Sequence, residues 1–584
     1  MARKYFLITF ALMCLTRILP AQSTMNTLVV HADAAKDTIS KYIYGQFSEH
    51  LGHCIYGGIW VGESSTIPNT RGIRNDVVAA LKEIKVASLR WPGGCFADEY
   101  HWKDGIGPRA DRPKMVNSNW GGVTEDNSFG THEFMDLCEQ LGCEPVICGN
   151  IGSGTVKEMA DWVQYLTSDG DNPMTALRKK NGREKPWNVK FWCVGNETWG
   201  CGGIMSADHY ANELGRYSFF LKDYARTPLY KIASGGLQED YNWTETLMKK
   251  WKNTDGWLQG YMSGYSLHYY TVKDWNKKGS ATDFTENDWF TTFATTLKMD
   301  EIVSKHSAIM DTYDPQKRIG LMVDEWGDWF NVEPGTNPGF LFQQNTLRDA
   351  IVAAVNLNIF HKHCDRVRLT SIAQMVNVLQ AMILTKESEI VLTPTYYVFK
   401  MYSVHQDAVL LPVELRTEQY TNGPDSIPAV SASASKDKEG RIHISLANLQ
   451  PAKAEKLRCE LKGTTGLKVS GVIITAATRG RLAGVAGRCA LVPVFVYDLV
   501  FGQDRSPWTF VFGTMAVAIA GLLASSALSE KAARRLGFLT NQWVVALLVA
   551  GLPCLAQRGR TDGPLMGLGG DRRSRLRRPR SETC

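Results

Sequence analysis

A chain of 584 residues, 44% hydrophobic and 21% charged, can bury a large core and should hold two or three globular domains; disordered and fibrous classes are excluded. The net charge of +6 is unevenly spread. From residue 479 onward 14 Arg and 1 Lys stand against 6 acidic residues, which leaves the preceding body mildly acidic at −3 and gives no argument for a nucleic-acid partner.

Residues 1–23 read as a secretory signal: Arg3 and Lys4, an apolar run over 5–15, then Pro20-Ala21-Gln22-Ser23 as a small-residue cleavage site. Export to the periplasm or medium follows from that pattern. Met25 is an alternative start that would give a cytoplasmic form. A strand is expected at 28–31, within a 24–40 segment that pairs with a later β domain. After it a regular alternation begins, with short apolar strands at 42–47, 86–90, 145–148, 190–195, 230–234, 264–269, 319–324 and 367–372. Between them, residues 75–85 place Val77, Val78, Leu81 and Ile84 on one face, and 131–142 do the same with Phe134, Leu137, Cys138 and Leu141. Eight strand-then-helix units over 41–382 predict an α/β fold, a (β/α)8 TIM barrel.

The barrel would carry its chemistry where strands end. In KFWCVGNETWGCGG, residues 190–203, an apolar block breaks abruptly into Gly195-Asn196-Glu197; in the stretch from 319, it breaks into Asp324-Glu325-Trp326-Gly327-Asp328-Trp329. Two Glu at the ends of two buried strands, each beside Trp and Gly, are what double displacement at a sugar's anomeric centre needs. The other strand ends are polar as well: Ser48-Glu49-His50, Arg90 before WPGG, Asn150, His268-Tyr269-Tyr270 and Gln374.

From about residue 383 alternation replaces the helical period, which predicts a C-terminal β-sandwich over 383–478. Residues 479–584 change character to Arg-rich, apolar text with uncharged runs at 508–529 and 536–557. Each run is long enough to span a bilayer, so this tail reads as a membrane hairpin, a fusion or a frameshift. The 13 Cys include Cys14 in the leader, and the rest read as buried free thiols: Cys138, Cys143 and Cys148 fit neither a zinc knuckle nor a redox pair. No metal site is apparent, because His50 with His53 and His361 with His363 lack further ligands.

IYGQFSEHLG at 43–52, CIYGG at 54–58, RWPGG at 90–94, WKDGIGP at 102–108, Gly195-Asn196-Glu197, Asp324-Glu325-Trp326 and IAQMVN at 372–377 together resemble the α-L-arabinofuranosidases of glycoside hydrolase family 51. The resemblance covers roughly residues 28–476. It implies a retaining exo-hydrolase that removes terminal α-L-arabinofuranosyl units from arabinan, arabinoxylan or their fragments, needs no cofactor or metal, and assembles as a homo-oligomer. By motif position it implies Glu197 as general acid/base and Glu325 as nucleophile. It implies further that Asn196 bonds the 2-hydroxyl, Tyr270 orients Glu325, Glu49, Arg90 and Gln374 hold the furanose hydroxyls, and Trp120 and Trp329 wall the pocket. Cys95 stands where many members carry a sugar-binding Asn, and a thiol is a poor hydrogen-bond partner.

Plainer readings stay open at this point. Arg90 and Glu49 could be scaffold ion-pair partners, and Tyr270 and Trp120 core aromatics. His50, His53 and His268 read as supporting or structural histidines. The rival functions are an endo-acting glucan or xylan hydrolase on the same barrel and a non-catalytic carbohydrate-binding protein, the latter suggested by Cys95 and the tail.

Overall fold

The structure, a computed structural model, describes residues 25–225, 227–464, 467–476 and 495–503. The leader at 1–23 and the two apolar runs of the tail lie outside them. Among the described residues no helix is long and apolar enough to cross a membrane.

Strand β1, Asn26–His31, comes first and belongs to the β domain. The barrel strands follow in order: β2 Gly45–Phe47, β3 Ser88–Trp91, β4 Glu144–Gly149, β5 Phe191–Val194, β6 Tyr230–Ala233, β7 Gly264–Thr271, β8 Gly320–Asp328 and β9 Val367–Ile372. Neighbours pair in parallel around a closed ring, and Ser371 and Ile372 of β9 meet Gly45 and Gln46 of β2 to close it. All eight expected strands are present, and helices fill each interval, as they must when parallel strands are joined by crossovers.

The apolar strand text is explained by burial on both faces. Phe191 and Cys193 point into the barrel with Val146, Cys148, Ile232, Met322 and Leu369. Trp192 points outward, edge-to-face on Trp162 at 5.4 Å. In the helix Thr131–Leu141, the predicted face of Phe134, Leu137, Cys138 and Leu141 is buried, and Gly142 in the left-handed conformation ends it.

Two strands run further than their apolar text suggests. The expected strand at 319–324 extends to Asp328, and that at 264–269 to Thr271; every residue of both is buried. Glu325 and Tyr270 therefore sit within strands rather than after them. The polar residues are tolerated because they satisfy one another inside the barrel mouth.

The β domain is a two-layer sandwich. One sheet has the order β10 Val409–Leu411, β12 Val430–Lys436, β13 Ile442–Asn448, β16 Phe495–Gln503, β15 Leu467–Ala476; the other places β1 between β11 Val413–Arg416 and β14 Leu457–Lys462. Leu28 and Val30 pack between the sheets with Leu411, Ile442, Ile444 and Leu457. The expected boundary near residue 478 does not hold. Residues 495–503, FVYDLVFGQ, pair with β13 on one side and β15 on the other. The reason is local: within the Arg-rich tail this run is rich in aromatic and β-branched residues, a composition enriched in strands.

A chain ended after Ala476 would leave β13 and β15 without their shared partner. We expect it to melt roughly 5–10 °C below a chain ended after Gln503, at about 2–4 °C per kcal/mol; equal melting in scanning calorimetry would show that the strand contributes nothing.

Candidate active site

Glu197 is set by an abrupt turn. After β5, Gly195 takes φ +87° and a Cβ there would meet Ile151 Cγ2 at 2.4 Å, so glycine is required. Glu197 itself takes φ +39°, in the region that disfavours side chains. The turn is held by hydrogen bonds from the Gly200 and Gly202 N–H groups to the Glu197 carbonyl, 2.7 and 3.1 Å, and from the Asn196 N–H to Asp98 Oδ2, 2.9 Å. Asp98 also accepts from the N–H groups of Ile151 and Gly152 at 2.8 and 3.0 Å. Burial pushes its carboxyl up to about 7 against those N–H donors and the charge of Arg90.

Arg90 joins the centre together. It is 1% exposed, and its guanidinium donates to Glu325 Oε1 at 2.7 Å and to Asn196 Oδ1 at 2.6 Å, lies 3.4 Å from Asp324 Oδ2, and rests over the Phe47 ring. Tyr270 donates its hydroxyl to the other Glu325 oxygen at 3.0 Å. Burial and the Glu325 charge raise that phenol well above its ordinary pKa, so it stays a donor.

His268 bridges the carboxylates. Its Nδ1 is 2.9 Å from Glu197 Oε1 and 3.5 Å from Glu325 Oε2, while Nε2 is 3.4 Å from Asp324 Oδ1. Burial alone would lower the imidazole pKa, but Glu325, Asp324 and Glu197 override it and raise it well above the usual value. Asp324 is held down to about 2: burial is outweighed by Arg90, His268 and the Ser266 hydroxyl.

These groups face a cavity of 220 Å³ lined by Glu49, Trp120, Asn196, Glu197, Tyr270, Glu325, Trp329 and Gln374, with Gly94, Cys95, Trp199, Leu237, His268 and Trp275 among the rest. Of the site residues expected from the sequence, Arg90 alone does not line it; it lies beneath, behind Glu325 and Asn196. Glu49 accepts from Trp120 Nε1 at 2.9 Å, Gln374 Nε2 at 2.8 Å and the Gly94 N–H at 3.0 Å. Trp120 is thus a donor as well as a wall. Trp329 stands edge-on to Tyr270 at 5.2 Å and to Trp275 at 5.4 Å. A Cβ on Gly94 would meet Glu325 Oε1 at 2.7 Å, so the absence of a side chain there leaves the carboxylate accessible.

Asn150 turns away from the cavity to Ser153 and the Tyr100 carbonyl. His50 is a structural residue that accepts from Trp91 Nε1. The expectation of a free thiol at Cys95 is corrected: Cys95 and Cys201 form a disulfide. The pairing joins residues 106 apart, a separation that no short spacing can signal. Sequence reasoning also left His268 as a supporting residue, although a His one strand over from two adjacent acids was the available signal. Trp199, Leu237 and Trp275 at the rim had none beyond being aromatic or apolar near a strand end.

One oxygen of Glu197 and one of Glu325 lie within 4.8 Å of each other. So close an approach is compatible with a retaining glycosidase pair, whose carboxyl groups stand about 5–5.5 Å apart. Residues 80–287 match the α-L-arabinofuranosidase 1 domain model, and 324–481 the α-L-arabinofuranosidase C-terminal domain model. The chain is 55% identical to an intracellular exo-α-L-arabinofuranosidase of Bacteroides ovatus, over 81% of this chain and 90% of that one. Its fold superposes on the crystal structure of the family 51 arabinofuranosidase of Xanthomonas axonopodis pv. citri with a TM-score of 0.77, at 46% identity over 82% of this chain and all of that one. The arabinose complex of the Thermotoga maritima α-L-arabinofuranosidase gives 0.70 at 30% identity, covering 84% of this chain and 98% of that one. The chain belongs to glycoside hydrolase family 51. It is an α-L-arabinofuranosidase, a glycoside hydrolase that releases terminal arabinofuranosyl units, and its substrates are arabinose-containing glycans.

In this arabinofuranosidase, burial first and the Glu325 charge second push the Glu49 carboxyl from 4.5 up to about 7, against its hydrogen-bond donors. Between those values the folded protein binds more protons than the unfolded one, so stability falls as pH rises through the window. Glu49→Gln cannot ionise. Its melting temperature relative to wild type should therefore rise between about pH 5 and pH 8; a constant difference in calorimetry would contradict the raised carboxyl.

Proposed function

We propose that this enzyme hydrolyses terminal α-L-arabinofuranosides of arabinan, arabinoxylan or their oligosaccharides by double displacement, with Glu325 as nucleophile and Glu197 as acid and base. The observation that carries it is the short carboxyl separation across a cavity the size of one sugar ring, 220 Å³, below the roughly 300–1,000 Å³ of larger ligand sites. A pocket of that size favours removal of single units over internal cleavage of a glucan or xylan.

Glu325 is set up to attack. It receives the Arg90 guanidinium and the Tyr270 hydroxyl on separate oxygens, which fixes its orientation. Its attack on the anomeric carbon forms the glycosyl-enzyme while Glu197 protonates the departing oxygen; Glu197 then deprotonates the water that releases arabinose. Asn196, oriented by Arg90, is placed to bond the 2-hydroxyl, where added transition-state bonding counts most. Glu49 and Gln374 hold the remaining hydroxyls, and Trp120 and Trp329 close the sides. Cys95 takes no part in sugar bonding as a thiol, which removes one motive for the non-catalytic reading.

The name of the Bacteroides ovatus relative supports the cytoplasmic form that begins at Met25 over export. Fractionation of the native host, with enzyme in the soluble cell fraction or in the medium, decides between the two.

Glu325→Ala should abolish turnover of every arabinofuranoside. Glu197→Ala should lose about 10²–10⁴-fold on alkyl arabinofuranosides, while dinitrophenyl arabinofuranoside, whose leaving group needs no proton, keeps its first step. Equal loss on both substrates in steady-state assays would remove Glu197 from the acid role. Products from branched arabinan should be monomeric arabinose only; released oligomers in chromatography would favour endo action.

A further inference from the structure

The disulfide stands beside the proposed acid/base. Cys95 opens the short turn that follows Gly94, and Cys201 lies four residues after Glu197 in the turn that returns to the Glu197 carbonyl. Cys95 is half-buried at the cavity wall and Cys201 is exposed, so small reductants reach the bond. Ligand atoms of Cys95, Cys201 and Glu197 all lie within 4.8 Å of one another, and Cys201 Sγ is 3.7 Å from Glu197 Oε2. The other Glu197 oxygen is held by His268, which steers Oε2 toward the sulfurs.

We propose that reduction of Cys95–Cys201 turns the mouth of the pocket into a soft-metal site, with two thiolates and the Glu197 carboxylate as ligands for Zn²⁺, and that metal bound there stops catalysis. Two molecules of a low-molecular-weight thiol supply two electrons and two protons, leaving as their own disulfide and yielding two cysteine thiols. Metal binding then releases one proton from each thiol to solvent, and no electron moves in that step.

The geometry accommodates the change. Tetrahedral Zn–S bonds of about 2.3 Å set two sulfurs roughly 3.8 Å apart. From Cα atoms 5.5 Å apart, rotation of the two side chains alone opens the sulfurs that far. Two thiolates and a carboxylate leave the fourth position for water. Thiolates select zinc-like metals over magnesium or calcium, which want oxygen ligands throughout. With Oε2 on a metal, Glu197 has no free oxygen to carry the leaving group's proton. The bond would thus keep a soft-metal trap closed beside the reactive carboxylate, in addition to tying the loops after β3 and β5.

The inhibitory part rests on the acid/base reading of Glu197, so binding and activity are measured separately. Cadmium, as the probe, is dialysed to equilibrium against the oxidised enzyme, the enzyme reduced with a phosphine, and reduced Cys95→Ser/Cys201→Ser, which subtracts metal held by the other cysteines. The reduced wild type should bind one more equivalent than either, with cadmium–thiolate ultraviolet absorption, and Glu197→Gln should weaken that site by roughly tenfold. Reduced, metal-free enzyme should stay active; saturation with cadmium should cut alkyl arabinofuranoside hydrolysis by about a hundredfold, and a chelator should restore it. The absence of an additional equivalent in the reduced wild type would overturn the proposal, and so would an additional equivalent that leaves activity intact. Inactivity of the oxidised, metal-free enzyme would instead count against the arabinofuranosidase reading, with dialysis still deciding the metal site.

Discussion

The buried guanidinium of Arg90 is the constraint on which the site depends. A charge 1% exposed at the heart of a barrel would be costly alone. It is tolerated because Glu325, Asp324 and the Asn196 side-chain Oδ1 surround it and Phe47 supplies an aromatic face. These partners come from different strands: Arg90 from β3, Asn196 from the end of β5, Asp324 and Glu325 from β8. Barrel closure brings them to one point, so the electrostatics of the site and the closure of the fold are a single requirement.

Around that cation the carboxyl groups are placed in unlike settings, which is how two Glu can take different tasks. Glu325 is nearly enclosed, with donors on both oxygens, whereas the Glu197 side chain is 21% exposed and meets the His268 ring. His268 is held cationic by three acids and Asp324 is held anionic by Arg90 and His268. Asp324 therefore serves the two catalytic candidates from behind, balancing the positive charges that face them. The adjacent acids Asp324 and Glu325 both reach Arg90 and His268, and β8 carries an irregularity in its pairing with β9 between Val323 and Trp326.

What could be read from the sequence follows from where the information is local. The eight barrel strands were legible because burial on both faces demands an apolar run, and the end of each run marks the mouth of the barrel. Glu49, Asn196, Glu197, Tyr270, Glu325 and Gln374 stood at those ends, and the structure gathers them around one cavity. The Cys95–Cys201 bond was not legible, since its partners approach only through tertiary folding. Nor was the bridging place of His268, which depends on the register of β7 against β8, with His268 beside Glu325. The strand at 495–503 was missed because its surroundings are Arg-rich and its partners, β13 and β15, are recognised by pairing rather than by text.

The central claim is that Glu325, fixed by Arg90 and Tyr270, forms the bond to arabinose while Glu197 serves the leaving group and the water. It is tested most directly in Glu197→Ala, where loss of the base should let the glycosyl-enzyme accumulate. The variant is mixed with dinitrophenyl arabinofuranoside, quenched in acid, digested with pepsin and analysed by mass spectrometry. The account predicts one arabinosyl unit on the peptide that contains Glu325, attached at that residue. An adduct on another residue, or none while the wild type gives arabinose of inverted configuration by NMR, would contradict it.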